Sequence, residues 1–209
     1  MLITSFFFLI KALIFNEYRF WQLLNIPHLT PSFIDMRLLQ GSLVSYLNGY
    51  DPFVQNPFDP KGRLFAATKY LLLFAKSISL QNENEFIFLI FFLILSYICS
   101  ITYFALKYRS IYFFLFLFSS SSLLSIERGQ PDLIIYLLLF TSIFLSKSFS
   151  GGLVMIASIF KLFPIFIFIN VFINKSKIWV FYFFTTFLLI TVNLDSILLL
   201  QNNIFSTYR

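Results

Sequence analysis

Six apolar runs fill most of this chain, at roughly 2–15, 86–106, 111–126, 133–145, 152–173 and 178–194. A helix that crosses a bilayer needs about 20 consecutive apolar residues, and these runs sit at or just below that length. The remainder cannot dilute them. The chain has 209 residues, 59% hydrophobic, with 32 Phe and only 11% charged, whereas a soluble domain carries about 25% charged residues. One globular core of this length cannot absorb so much apolar surface. The expected class is an all-α polytopic membrane protein, a single membrane domain over 1–209 with about six or seven transmembrane or half-membrane helices. The opening "MLITSFFFLIKALIF" lacks a basic leader and a small-residue cleavage site, so 1–15 reads as a first span. The expected site of residence is the cell (plasma or inner) membrane.

The net charge of +6 is spread among spans and loops, so it bears on orientation and not on nucleic-acid binding. If Lys107 and Arg109, Lys147, and Lys175 and Lys177 are all cytoplasmic, then 16–85 and the short loop 127–132 face outside. Lys147 and Lys175 flank one run, "GGLVMIASIFKLFPIFIFINVF", which a single span would place on opposite sides. Pro164 breaks that run. Each half is about 10 residues, or about 15 Å at 1.5 Å per residue. A hairpin of two half-helices with Lys161 near its tip resolves the conflict; one kinked span is the alternative. The short runs 111–126 and 133–145 imply that the loop joining them is recessed. Residues 86–200 make up the bundle.

Two stretches of the outer loop carry helical patterning and are expected to lie in the membrane interface. In "TPSFIDMRLLQGSLVSYLNG", Met36, Leu39, Leu43 and Leu47 share a stripe, Asp35, Ser42 and Tyr46 flank it, and Gly49 suits the stop. Residues 63–80 are the second, with Lys69 and Lys76 on the polar side. The serines 119–122 fall inside an apolar run, where they are expected to bond back to helix carbonyls. Cys99 and His28 stand alone, so neither a disulfide framework nor a metal site is expected. His28 reads as an interfacial or loop residue.

Few residues can carry chemistry. Asp35 follows Ser32 at capping-box spacing and so is either a helix cap or a general base at the outer face. Glu127, Arg128 and Asp132, in "SIERGQPDLIIYLLLF", form either a solvated turn or a recessed loop in which Arg128 meets a lipid phosphate while its acidic neighbours orient the loop and cap the next helix. Lys161 lies in an apolar run, where a lysine costs about 2.5–3.5 kcal/mol on insertion scales. That cost favours a lysine that faces a cavity, where it can hold a phosphodiester as a point charge. Asn193 and Asp195 read as a polar helix end. No P-loop, H-E-x-x-H, nucleophile elbow or glycine-rich dinucleotide motif is present.

Taken in order, Asp35, "GYDPF" at 49–53, Gly129-Gln130, and "KLFP" at 161–164 resemble the family-87 glycosyltransferases of the C-type (GT-C) superfamily. Members show an outer-loop aspartate before a helix ending in G-x-x-P-Y/F, a G-Q/N motif opening a span, and a small-residue helix running into K-x-x-P. The resemblance implies transfer of a sugar, mannose or another hexose, from a polyprenyl-phosphate donor to a lipid or glycan acceptor at the outer face. Asp35 would be the base, with Arg128, Lys161, Gln130 and Glu127 near the donor phosphate and no cofactor or metal. Family members usually run longer, so this chain is expected to hold the N-terminal half and to lack the C-terminal half. A non-enzymatic carrier or flippase of lipid-linked saccharide, a structural membrane subunit, and an inactive fragment are the competing readings.

Overall fold

The computed structural model describes residues 18–161, 164 and 177–192. The first predicted span, at 2–15, lies outside the described residues, as do Asn193, Asp195 and, apart from Pro164, the second half of the proposed hairpin. Among the described residues the chain is all helical, with no strand. The helices are α1 (Tyr18–Leu23), α2 (Ile34–Leu47), α3 (Lys69–Ser77), α4 (Glu83–Lys107), α5 (Ile111–Leu117), α6 (Ser120–Arg128), α7 (Asp132–Ser142), α8 (Lys147–Phe160) and α9 (Lys177–Val192). α4, with a mean hydropathy of 2.4 in its most apolar window, is long and apolar enough to cross a membrane; α5 and α6 pass the same test together but meet at 46°.

α4 is the spine. On one side α5 and α6 run against it, with Phe113 beside Phe104 and the Ser122 hydroxyl 2.8 Å from the Tyr97 hydroxyl. On another side α7 runs with it: the Tyr136 hydroxyl meets Ser100 at 2.8 Å, and Phe140 and Phe144 pack on Tyr103 further along. The chain therefore reverses at 129–131. Asp132, one turn before Tyr136, sits level with the middle of α4 and not with its first residue. At 1.5 Å per residue the reversal is recessed roughly 15–20 Å from Glu83 along the helix. α8 packs on α7 and α9, and Gly151 lets the Tyr182 ring approach so closely that a Cβ there would lie 2.5 Å from it.

The serine run acts differently from the sequence expectation. Ser119 ends the first apolar segment: its Oγ accepts the Ser122 backbone N–H at 3.3 Å and caps α6. The predicted span at 111–126 is thus two short helices, because an N-cap serine satisfies an amide that only a helix start leaves open. Ser125 alone bonds back, to the Ser121 carbonyl at 2.9 Å.

α2 is more enclosed than an interfacial helix. Met36, Leu39 and Leu43 are buried as predicted, but so are Ser42 and Ser45 on the flank, while Leu47 is exposed. The serine side is covered by the loop at 55–65. Asn56 donates to the Ser42 hydroxyl at 2.9 Å and to the Arg63 carbonyl at 2.8 Å, and accepts from the Ser45 hydroxyl at 2.6 Å. Gly41 makes this approach possible, since a Cβ there would lie 2.6 Å from the Phe58 carbonyl oxygen. Gly49, at φ +84, closes the helix as expected. The predicted helix at 63–80 begins only at Lys69. Phe65 is buried and donates its backbone N–H to Pro52 at 2.9 Å, which holds the preceding segment out of helix. Arg37 and Gln40 of α2 bond Glu83, so α2 is fixed to the head of α4.

Candidate active site

A cavity of about 570 Å³ opens where four parts of the chain converge. α2 contributes Asp35, the segment entering α3 contributes Thr68, the reversal at 130–132 contributes Gln130 and Asp132, and the end of α8 contributes Lys161. Apolar residues such as Leu39, Phe65, Ile135 and Phe160 fill the remaining wall. Polar groups are few and convergent, the arrangement usual for a small-molecule site.

Asp35 is not the predicted cap. The residue preceding α2 is Phe33, in the left-handed region at φ 58, and no side chain caps the helix. Ser32 offers only its carbonyl, to Arg37 Nε at 3.1 Å. Asp35 lies in the first turn, where the helix dipole favours an anion, and its Oδ1 accepts from Arg63 Nη1 at 2.9 Å. Arg63 is itself anchored. Its Nε and Nη2 reach the two oxygens of Asp59 at 3.2 and 3.1 Å, and Nη2 also donates to the Ile34 carbonyl at 2.6 Å. The Asp59 side chain is fully buried, and its Oδ2 further accepts the backbone N–H groups of Lys61 and Arg63. Burial works to lower the Arg63 pKa, but the hydrogen bonds and charges of Asp59 and Asp35 together outweigh it and raise the pKa above its usual value. The consequence is geometric. One carboxylate neutralises the guanidinium, and the other, Asp35, is oriented through one oxygen while the cavity-lining residue keeps Oδ2 without a protein partner among the described residues.

Elsewhere in the lining α8 stops at Phe160 and Lys161 turns extended, with φ −152 and ψ 138. Pro164 lies three residues on, where a helix cannot continue. Lys161 Nζ donates to both oxygens of Asp132, at 2.7 and 2.8 Å. Both side chains are about half exposed, at 53% and 44%, so the pair faces the cavity and is not locked in the core. Gln130 is steadied by Ser125, whose hydroxyl lies 2.9 Å from Oε1 and shares its one proton between Oε1 and the Ser121 carbonyl.

The structure brings Asp35, Gln130 and Lys161 to one cavity; Glu127 and Arg128 are off its lining. The Glu127 side chain is 1% exposed, and Oε1 binds His28 Nδ1 at 2.9 Å and the Leu29 N–H at 3.0 Å. It clamps the segment before α2 to the reversal; His28 lies in a loop, as expected, but its side chain is 4% exposed and paired. Glu127 Oε2 and Arg128 Nε are buried with no hydrogen-bond partner among the described residues. Sequence reasoning missed Arg63, Asp59 and Asn56. The available signal was "NPFDPKGR" at 56–63, whose N-P and D-P steps mark a built turn. No group of three or more His, Cys, Asp or Glu among the described residues has metal-site geometry.

A family model described as glycosyltransferase family 87 matches residues 57–208. The chain belongs to glycosyltransferase family 87. It is therefore a glycosyltransferase by family, and its cavity is the natural place to seek sugar transfer. Asp59, Arg63, Gln130, Asp132 and Lys161 lie inside the matched range, whereas Asp35 lies before it. No curated protein and no solved structure matches the chain.

Proposed function

We propose that this family-87 chain transfers a hexose from a polyprenyl-phosphate donor to a lipid or glycan acceptor at the outer face of the cell membrane, within a GT-C-like multi-pass bundle. The observation that carries the reading is one cavity lined by both an oriented carboxylate, Asp35, and an ammonium, Lys161. Glycosyl transfer from a phosphate needs both. Asp35 Oδ2 takes the proton from the acceptor hydroxyl. The acceptor oxygen bonds the anomeric carbon, the bond from that carbon to the phosphate oxygen breaks, and its electron pair stays on the phosphate. Lys161 stabilises that growing charge, and Gln130 supplies an amide donor beside it. The cleaved bond already has a good leaving group, so the base and the cation suffice.

A lipid donor is supported by the neighbouring groove. It holds about 700 Å³ between α4 and α7, is lined mainly by apolar side chains including Leu93, Leu137 and Phe140 with Ser96, Ser100 and Thr141 among them, and shares a wall with the catalytic cavity where Phe74 meets Phe160 at 5.3 Å. An isoprenoid tail lying there leads its phosphate toward Lys161. The span-length α4 supports membrane embedding.

The test is Asp35→Asn in proteoliposomes with a radiolabelled polyprenyl-phosphate hexose. Turnover is expected to fall by about 10²–10⁴, the usual worth of a general base, with donor affinity retained. Wild-type turnover in that variant removes Asp35 as base. Transbilayer movement of the labelled donor without a new glycosidic bond replaces the enzyme reading with that of a carrier.

A further inference from the structure

Behind the catalytic cavity lies a second cleft, of about 390 Å³, between the end of α2, the turn at 50–54 and the start of α3. It is lined by Tyr46, Tyr50, Asp51, Phe53 and Lys69, among others. Four of its polar groups are unused. Asp51 spends Oδ1 on the Phe53 N–H at 3.1 Å, which forms the turn, and leaves Oδ2 open. Lys69 enters no ion pair among the described residues, although Asp51 lines the same cleft. The phenol hydroxyls of Tyr46 and Tyr50 bond nothing within the protein among the described residues, and both rings are part exposed, at 37% and 41%.

This composition selects a ligand. Among the lining side chains one carboxylate and one ammonium cancel, with Lys76 Nζ 6.0 Å from the Tyr46 ring centre just outside the lining, so the lining itself has no net charge to select a small ion. A neutral polyol suits it: the carboxylate accepts from hydroxyls, the ammonium and phenols donate to them, and aromatic faces pack on the C–H side of a pyranose ring. The cleft also adjoins the reaction site. Along the entry to α3, Thr68 and Leu71 face the catalytic cavity while Lys69 and Leu72 face this cleft. Between them stand the Phe65 and Phe53 rings, 5.5 Å apart and edge to face. The dividing wall is one ring pair thick.

We propose that this cleft is a saccharide subsite that holds the inner residues of a glycan acceptor while its terminal residue enters the cavity at Asp35. The proposal deepens the transfer reading and rests on it for the acceptor's role, but binding at the cleft does not require turnover. The test is saturation-transfer NMR on the full chain in lipid nanodiscs, with manno- and gluco-oligosaccharides from monosaccharide to tetrasaccharide as probes. The expected result is affinity that rises with length and falls about tenfold, or about 1.4 kcal/mol, in Tyr50→Ala and in Lys69→Gln. Asp51→Asn keeps the turn acceptor and should show a smaller loss. Asp35→Asn should bind oligosaccharide as the wild type does, so loss of turnover in that variant with binding intact separates the two readings. The subsite is overturned if the wild type binds no oligosaccharide, if Tyr50→Ala and Lys69→Gln bind as the wild type does, or if phosphoethanolamine displaces the bound sugar, which would mark a lipid-headgroup site.

Discussion

The sharpest test of the site's construction is a methyl group placed far from the chemistry. In Gly41→Ala the new Cβ meets the Phe58 carbonyl oxygen at 2.6 Å and the Asp59 Cα and N at 2.9 Å. Carbon contacts are comfortable at about 3.5–4.0 Å, so the Asp59 backbone must retreat by about 0.5–1 Å. Every atom in the way is backbone, so no side-chain rotation relieves the contact. The loop cannot swing freely either, because Asn56 ties it to Ser42 and Ser45 on the same helix. The displacement passes to Asp59, from Asp59 to Arg63 through bonds of 3.1 and 3.2 Å, and from Arg63 to Asp35 through one of 2.9 Å. Any of these, lengthened by that amount, leaves hydrogen-bonding range.

Two energies oppose each other in stability. Overpacking costs about 1–3 kcal/mol, while alanine gains about 1 kcal/mol over glycine inside a helix. The net change in unfolding free energy is therefore modest, about 0–2 kcal/mol destabilising. Rate has no such offset. Misplacing a catalytic group by about 1 Å can cost about 10²-fold, so turnover should fall by about 10–100-fold. The assay pairs initial sugar-transfer rates in proteoliposomes with thermal unfolding of the same preparation. Gly49→Ala sets the scale for backbone strain alone: it alters a position at φ +84 with no atom nearby and should cost about 1 kcal/mol in the same unfolding measurement. A Gly41→Ala enzyme within twofold of wild-type turnover would refute the claim that Asp59 and Arg63 position Asp35.

Two further perturbations address neighbouring bonds. Asn56→Ala removes the acceptor of Ser45 and the donor to Ser42 and to the Arg63 carbonyl. With two buried hydroxyls left short of partners, unfolding should be easier by about 2–3 kcal/mol, read as a fall in the thermal midpoint; an unchanged midpoint sinks the stapling argument. Asp132→Asn removes the carboxylate that pairs with Lys161, and under the proposed reaction it would free that ammonium for a donor phosphate. Polyprenyl phosphate should bind this variant several-fold more tightly and Lys161→Ala several-fold more weakly; weaker binding in both would mean that Asp132 shapes the site and does not compete.

What the sequence made legible follows from what an apolar pattern can encode. Period and length located α4, α7, α8 and, in the outer loop, α2 but not α1, and the proline at 164 announced the end of α8 near Lys161. The serine run at 119–122 was opaque, because a hydroxyl that bonds back to a carbonyl and one that caps a new helix are the same residue type in the same apolar company. Only the geometry of Ser119 and Ser122 distinguishes them. The candidate site divides along a similar line. Lys161 announced itself, since an ammonium in an apolar run is costly and must be accounted for. Arg63 and Asp59 did not, because charges in a turn-rich loop are ordinarily solvated and unremarked.

The same cost argument explains why Lys161 alone was incomplete as a guess. A cation that must be accommodated needs a counter-charge while the site is empty, and the nearest one, Asp132, is 29 residues earlier in the chain. Sequence distance hides that partner, whereas two short helices meeting at a recessed reversal deliver it. Asp35 shows the converse case, an anion that must stay oriented yet available. The fold solves it by giving Arg63 a second carboxylate of its own, so that the cation orients Asp35 without being neutralised by it alone. The outcome is a cavity lined by an anion and a cation, each held by a local partner.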